Sequence, residues 1–175
     1  MYECKIVDLT FLESARNRYK AEVEIEATPE QIFESFENAD DWPRWATPIQ
    51  NVEWTSPKPF GLGTTRTVSM SGGMVGDEVF IAWEYPKRMA FCFTACSKSM
   101  TESFAEDYVV TPLDNGKTRV TWIMAMEVKG VGRVTLPIFS PIMKIANQWM
   151  LGRFKKLVEA NVKQAAQQKP STDNR

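Results

Sequence analysis

The chain has 175 residues, 43% of them hydrophobic, and a formal net charge of -1. This length suits one domain around one hydrophobic core, and the balanced charge excludes a broad electrostatic attraction to nucleic acid. No histidine occurs in the sequence, which excludes Ser-His-Asp and Cys-His catalysis and histidine-ligated metal sites. We therefore expect no metal and no cofactor.

The start of the chain does not look like a secretory signal, because Glu3 and Asp8 interrupt its apolar residues. No run approaches the roughly 18 apolar residues of a membrane span. Cys92 and Cys96 lie four apart in a predicted strand, about 13 Å from each other and too distant for a disulfide. These features predict a cytoplasmic protein without stable membrane insertion, and they leave monomer and dimer open.

The first third of the chain carries one strand pattern and two helix patterns. No role can be assigned to residues 1–15. Apolar and charged residues alternate over residues 16–27, which predicts a half-buried strand. The run Thr28-Pro29-Glu30-Gln31 predicts a helix start with a capping box, and the acidic, tryptophan-containing stretch 38–46 predicts a second short helix.

Strand-like runs separated by turn residues fill the middle of the chain. They cover residues 49–55, 64–70, 74–85, 88–97, 100–112 and 117–128. Asn115-Gly116 in the last break is a strong hairpin signal, because glycine readily adopts the positive φ of tight turns. Short connections between successive strands predict an antiparallel meander.

The end of the chain changes to a helical period. Ser140-Pro141 predicts the start of a helix that runs to about Ala166. Its predicted apolar stripe contains Ile142, Ala146, Trp149, Met150, Leu157 and Ala160. The whole order predicts an α+β helix-grip fold, in which a curved antiparallel sheet of about six to seven strands surrounds a long C-terminal helix and two short helices follow the first strand. We expect one domain over residues 1–166 and a polar tail over residues 167–175.

The chain resembles the START-like, birch-allergen-like superfamily known as SRPBCC, and within it the polyketide cyclase/dehydrase-like branch. The resemblance rests on five segments in order: Ala27-Thr28-Pro29-Glu30-Gln31-Ile32-Phe33, Trp42-Pro43-Arg44-Trp45, Gly61-Leu62-Gly63-Thr64, Glu84-Tyr85-Pro86-Lys87-Arg88-Met89, and Asn115-Gly116-Lys117-Thr118-Arg119-Val120-Thr121. It covers roughly residues 16–166. It implies a cavity between sheet and helix that binds a hydrophobic molecule such as a lipid, sterol or polyketide, with catalysis in only some members.

Strand and helix alternation nominates side chains for the wall of that cavity. The candidates are Trp42, Trp45, Val68, Met70, Ile81, Trp83, Phe91, Phe93, Phe104, Trp122, Met124, Met126, Ile142, Ala146, Trp149, Met150 and Arg153. Alternation along a strand assigns every second residue to one face of the sheet, but it does not distinguish a residue that lines a cavity from one that is packed in the core. Trp42 and Trp45 could close one end of the cavity or anchor their short helix, and Arg153 could meet an acidic headgroup or reach water at the helix edge.

Three polar residues are the candidates for chemistry. If Tyr108 points inward, as the resemblance implies, Glu102 and Glu106 share its face. Arg66 is expected on the same face of its strand as the apolar residue Val68, two positions along. We predict a contact between Arg66 and Glu106, with open solvation at the rim as the alternative.

Three functions of different classes remain open. The leading hypothesis is carriage or sensing of a small hydrophobic molecule. The enzymatic alternative is a polyketide cyclase or dehydratase in which Glu106, Tyr108 and Arg66 act. The third is a protein-interaction role like that of a co-chaperone, centred on the apolar segment Val134–Phe139, and the glycine-flanked stretch Gly130–Phe139 is also a candidate mobile portal.

Overall fold

The computed structural model describes residues 1–130 and 132–168, apart from the side chain of Pro137. Its strands are β1 Tyr2–Glu3, β2 Asn17–Ile25, β3 Ile49–Trp54, β4 Thr65–Met70, β5 Met74–Glu84, β6 Arg88–Cys96, β7 Thr101–Pro112 and β8 Thr118–Val128. Its helices are α1 Phe11–Ser14, α2 Pro29–Glu37, α3 Trp42–Trp45 and α4 Gly132–Gln168, and a 3-10 turn, Ala39–Asp41, precedes α3. The predicted helix-grip fold is confirmed.

The strands form one antiparallel sheet in the order β2-β8-β7-β6-β5-β4-β3. Strand β2 pairs with β8 along its whole length, and α4 packs against β2. The two-residue β1 adds to β6 beyond the point where β6 and β7 separate. A sheet of this order curls, because each strand twists relative to its neighbour. It therefore has an inner face toward α4 and an outer face.

Local sequence signals explain the helix start and the last hairpin. Thr28 and Gln31 cap α2 reciprocally, since the Gln31 N–H donates to Thr28 Oγ1 at 3.3 Å and the Thr28 N–H donates to Gln31 Oε1 at 2.9 Å. Gly116 has φ of 77°, which a residue with a side chain rarely adopts. Both features are as predicted.

The long helix begins earlier than predicted, at Gly132 instead of Ser140. It passes through Pro141, although a proline inside a helix removes one backbone hydrogen bond and its ring crowds the preceding turn. The candidate portal is therefore helical from Gly132 to Phe139, while Val131 lies outside the described residues. The helix also continues through Gln168, so two residues of the predicted tail belong to it and residues 169–175 lie outside the described part. No helix in the described ranges is long and apolar enough to span a bilayer.

The predicted apolar stripe of α4 lies about a quarter of a turn around the helix axis from the face that is buried. Met150 and Leu157 are buried, whereas Ile142 and Trp149 are exposed and Ala160 also faces solvent. The face that packs on the sheet and the short helices includes Met150, Leu151, Phe154, Leu157 and Val158. Apolar residues occur on almost every side of the first half of this helix, so the 3.6-residue period alone does not select the buried face.

The N-terminal residues, to which the sequence assigned no role, cover the outer face of the sheet. Leu12 is 2% exposed and packs on small residues of the sheet, namely Ala82, Ala90, Cys92, Ala105 and Ala125. Small side chains there let the segment approach the strands closely. This explains why both faces of β6 are apolar. The alternation of β6 favours Met89, Phe91 and Phe93 as the inward residues and leaves the opposite phase, with Ala90 and Cys92, nearly as plausible. The structure buries the first set on the inner face and the second on the outer face.

Candidate ligand site

A cavity of about 330 Å³ lies between the inner face of the sheet, the short helices and α4. This volume is in the range of small-molecule sites. Among the predicted wall residues, those that line it are Trp42, Trp45, Val68, Met70, Phe91, Phe93, Phe104, Trp122, Met124, Met126 and Met150, together with Arg66, Glu106 and Tyr108. The wall residues are otherwise almost all apolar, so water bound inside would have few partners.

The cavity has a closed end and an open end. Arg66, Glu78, Glu106 and Tyr108 are buried at the closed end. The partly exposed lining residues are at the opposite ends of the same strands and on α4, and they include Met70, Met74, Thr101, Phe104, Met126, Val128 and Met143. From Arg66 to Met70 along β4 is about 13 Å at 3.3 Å per residue. A narrow molecule could thus enter past a methionine-rich mouth and reach the polar end.

Arg66 is buried completely and is enclosed by aromatic rings. Its Cζ atom lies 4.1 Å from the ring centroid of Trp42, 4.4 Å from that of Phe91, 5.2 Å from that of Phe80 and 5.4 Å from that of Trp54. Ring faces attract a cation, and the attraction is stronger where water is excluded. This cage holds the guanidinium at the closed end.

The carboxylate partner of Arg66 is Glu78, not Glu106 as predicted. Arg66 Nε donates to Glu78 Oε2 at 2.5 Å. The two residues face each other across the β4–β5 hairpin, in which Met70 pairs with Met74. A register that follows from the short Ser71-Gly72-Gly73 turn could have identified Glu78 from the sequence. The alternative, solvation of Arg66 and Glu106 at a rim, is also wrong, because they are only 1% and 7% exposed.

The two terminal nitrogens of Arg66, Nη1 and Nη2, have no hydrogen-bond partner within the described part of the chain. Buried N–H groups of a charged side chain are normally satisfied, since an unmet donor costs free energy. Arg66 is also part of the cavity wall. The closed end therefore holds unmet, charged donors in a residue of the cavity wall.

Glu106 is bonded to its neighbour two residues along β7. Tyr108 Oη donates to Glu106 Oε2 at 2.5 Å. Burial raises the pKa of Glu106 to about 8, and the Tyr108 hydrogen bond only partly offsets this. The indole of Trp122 lowers the pKa a little further, although its N–H completes no hydrogen bond of good geometry. Burial likewise raises the pKa of Tyr108 well above its ordinary value. At neutral pH the Glu106 side chain is mainly a neutral acid.

Tyr108 and the two predicted tryptophans form the aromatic floor of the closed end. The Tyr108 ring stacks on Trp122, with centroids 5.7 Å apart, and Trp45 meets Trp122 edge to face. Trp42 donates its indole N–H to Phe36 O at 2.9 Å. Trp42 and Trp45 thus both close the cavity and anchor α3, so the two predicted roles are not exclusive.

Six predicted wall residues lie elsewhere. Ile81 packs on the outer face, because Glu78 and Phe80 set the inner phase of β5. After the irregular register between Phe80 and Ala82, Trp83 lies on the inner side, where it packs on Trp54, Phe60 and Phe80 and not on the cavity. Ile142, Ala146 and Trp149 do not line the cavity, since α4 turns another face inward. Arg153 lies at the edge of α4, where it donates to Thr47 Oγ1 at 2.8 Å and to Arg44 O at 2.6 Å.

Other lining residues were missed by the sequence analysis. The main one is Glu78, which the predicted phase of β5 placed on the outer face. Glu102 was expected inward with Glu106, but the register of β7 shifts between Thr101 and Ser103, and Glu102 pairs with Arg133 at 3.0 Å. Thr101 lines the cavity in its place. Such irregularities leave no clear signal in an alternating sequence.

The sequence profile of the family described as "Polyketide cyclase / dehydrase and lipid transport" matches residues 16–159. The chain belongs to this family. Uncharacterised proteins of Mycobacterium tuberculosis and Mycobacterium bovis are 45% identical over 167 residues, covering 95% of this chain and 99% of theirs. Family and cavity agree that the fold is one for hydrophobic ligands.

Solved structures show the same fold at low identity. A Thermus thermophilus protein matches with a TM-score of 0.65 and 17% identity, over 82% of this chain and 98% of that one. A START superfamily protein of Mycobacterium smegmatis matches with a TM-score of 0.61 and 16% identity, over 85% and 98%. The di-domain ARO/CYC protein BexL of the BE-7585A biosynthetic pathway matches with a TM-score of 0.63 and 14% identity, over 82% and 46%. The predicted resemblance to the START-like superfamily is confirmed.

Proposed function

We propose that this protein binds a small, mainly apolar molecule that carries one acceptor group, either a carboxylate or a carbonyl, and that the acceptor enters first. The observation that carries the proposal is the pair of unpartnered Nη groups of Arg66 at the closed end of an apolar cavity. An acceptor there would complete the hydrogen bonds of the guanidinium. The apolar part of the ligand would then lie along Met124, Phe104 and Met126 toward the mouth.

The ligand class follows from the wall. Methionine side chains adapt to ligands of different shape, and the mouth carries several of them. Lipid-like and polyketide-like molecules combine an apolar body with carboxylate or carbonyl oxygens. The family description names polyketide chemistry and lipid transport, and it supports the same class.

Paired ligands test the proposal in solution. We expect a medium-chain fatty acid to bind about tenfold more tightly than the alkane of equal length, which has no acceptor, because a hydrogen bond to a charged group contributes about 1.5–3 kcal/mol. In an Arg66→Gln/Glu78→Gln variant, which removes both charges together, that preference should disappear. Val68→Ala, on the same strand and lining the same cavity, is the matched control and should keep the preference. Tryptophan fluorescence reports the binding, since Trp42, Trp45 and Trp122 line the cavity.

Two results would count against the proposal. One is the absence of any retained molecule in native mass spectrometry of the freshly purified protein, combined with no binding across a panel of fatty acids and polyphenols. The other is an equal affinity of the wild type for the acid and for the alkane, which would overturn the role of Arg66.

A second candidate is turnover of the ligand by a cyclase or dehydratase reaction. The specific observation is Glu106, a carboxyl with a pKa of about 8 in the cavity, bonded to Tyr108 and close to the charge of Arg66. A group that titrates near neutral pH is suited to general acid–base catalysis. A bound β-hydroxycarbonyl model compound that is recovered dehydrated from the wild type but unchanged from Glu106→Gln would favour turnover over carriage.

A further inference from the structure

The first half of α4 carries an exposed apolar stripe on the side away from the cavity. We call its members, Val134, Ile138, Ile142, Ile145 and Trp149, the outer stripe; each is between 56% and 72% exposed. At 100° per residue they fall within about 80° of the helix circumference, and they extend over about 22 Å. Scattered exposed apolar residues are ordinary, but a continuous row of large ones marks an interaction surface.

The charged residues of the sequence segment that contains the outer stripe have one sign. Between Val128 and Val158 the sequence contains no aspartate or glutamate, whereas Lys129, Arg133, Lys144, Arg153, Lys155 and Lys156 are basic. This is unusual in a chain whose net charge is -1. The segment therefore combines an apolar row with a local excess of positive charge.

Facing groups from the neighbouring strand do not cancel this excess. Lys20 of β2 lines a surface hollow with Lys144, Ile145 and Trp149, and Arg18 lies in the adjacent hollow. Lys20 is paired with Glu22 at 3.0 Å, and Arg133 with Glu102 at 3.0 Å. Lys144 and Arg18 form no salt bridge within the described ranges of the chain. The charge of Lys144 remains available beside Ile145 and Trp149, and that of Arg18 remains available beside Lys144.

The outer stripe and the cavity mouth share one stretch of helix. Met143, between Ile142 and Lys144, lines the mouth from α4. At the start of the helix, Gly132 lies so close to Val128 that an added Cβ would stand 3.0 Å from its Cγ2, and Val128 also lines the cavity. A surface that covers the outer stripe would thus be next to the opening.

We propose that the outer stripe docks the protein on the surface of an anionic lipid bilayer, with the first half of α4 lying in the plane of the interface. A helix with large apolar residues on one side and flanking basic residues is suited to this position, and a tryptophan such as Trp149 is favoured at the membrane–water boundary. The mouth would then open close to the acyl chains. This inference is independent of the acceptor group proposed for the cavity ligand.

The charges favour a bilayer over a second copy of the chain. In a two-fold symmetric dimer the same patch would meet itself, so the Lys144 and Arg18 side chains of both copies would be brought together and repel. Anionic headgroups instead contribute about 1 kcal/mol of attraction for each nearby lysine or arginine.

Vesicle sedimentation of the full chain tests the proposal. We expect binding to vesicles of phosphatidylcholine with phosphatidylglycerol, weaker binding to phosphatidylcholine alone, and loss of the difference in high salt. The Ile142→Ser/Ile145→Ser variant should lose about tenfold in partitioning, since binding scales with the apolar area inserted. Lys144→Glu should weaken binding only to the anionic vesicles. Leu62→Ser, which changes a similarly exposed apolar residue on the loop between β3 and β4, is the matched control and should bind like the wild type.

The replaced side chains are exposed, so the variants should fold, and their thermal unfolding and their binding of the soluble fatty acid should match the wild type. The proposal is overturned if the wild type binds no vesicles, or if the Ile142→Ser/Ile145→Ser variant binds them equally well. It is also overturned if the wild type is a dimer in solution that this variant converts to a monomer, because the stripe would then be a protein interface.

Discussion

Arg66 and Glu78 face each other across the β4–β5 hairpin and form an ion pair that solvent does not reach. Replacing Arg66 alone by Met would leave the Glu78 carboxyl buried without its cation. We expect this to lower the free energy of unfolding by about 3–5 kcal/mol. Replacing both, as Arg66→Met with Glu78→Leu, should recover most of the loss, because the cost of desolvating the two charges is removed together. Urea unfolding measures both variants, and a double variant no more stable than the single one would contradict the argument.

Glu106 gives the stability of the protein a particular dependence on pH. Its pKa is raised from 4.5 to about 8 by burial, so between these values the folded protein holds a proton that the unfolded chain has released. Stability contributed at this position is therefore lost as the pH rises from about 4.5 to about 8, at up to roughly 1.4 kcal/mol per pH unit. Glu106→Gln keeps an oxygen that can accept from Tyr108 but does not titrate. We expect its melting temperature to rise relative to the wild type as the pH increases from 5 to 9. The control is Glu53→Gln, which changes an exposed carboxyl, and melting curves of Glu106→Gln that stay parallel to the wild type would exclude this role.

Gly76 is required by the ring of Phe93. A Cβ added at Gly76 would lie 2.8 Å from Cζ of that ring. Gly76→Ala should therefore displace Phe93 within the cavity wall, cost about 1–3 kcal/mol of stability and weaken fatty-acid binding. Adding Phe93→Leu should restore part of the stability. Gly152→Ala on α4 is the matched control, because no atom stands within 4 Å of its added Cβ, and it should stabilise the helix by about 0.5–1 kcal/mol. Equal effects of the two substitutions would show that steric contact at Gly76 is unimportant.

Leu12 holds the N-terminal segment on the outer face of the sheet. Because it is buried against the small residues of four strands, Leu12→Ala should cost about 2–5 kcal/mol. The same change should expose Cys92, whose pKa is raised by burial, to a thiol reagent. Chemical unfolding and the rate of thiol labelling check the two effects. The exposed neighbour Glu13 supplies the control, Glu13→Gln, and unchanged labelling of Leu12→Ala would mean that the segment does not protect Cys92.

The parts of the fold that could be predicted are those fixed by neighbouring residues. The alternation of β2, the capping box at Thr28 and the turn at Gly116 each depend on a few adjacent positions, and each was predicted correctly. The apolar character of the cavity followed in the same way from the inward phase of β8, with Trp122, Met124 and Met126.

The parts that could not be predicted depend on residues far apart in the chain. The irregular register at Phe80–Ala82 is a property of strand pairing, and it places Ile81 and Trp83 on opposite faces of the sheet, whereas simple alternation assigned them to one face. The partner of Arg66 depends on strand register as well: Glu78 is on the adjacent strand, whereas Glu106 is on β7, three strands from β4. The inward face of α4 is selected by what it packs against, since apolar residues alone do not distinguish Met150 from Trp149.

The pairing of β2 with β8 also constrains when the molecule can be completed. Val23 and Val120 are direct partners, and they are separated by about 100 residues, which a ribosome adds in roughly 5–20 s. During that time β2 has no neighbour in the sheet, and the charged side chains of Lys20, Glu22 and Glu24 protect it from pairing with other chains. Residues of α4, which follows β8, form part of the cavity wall, so the cavity is incomplete until the last helix has been added to the chain.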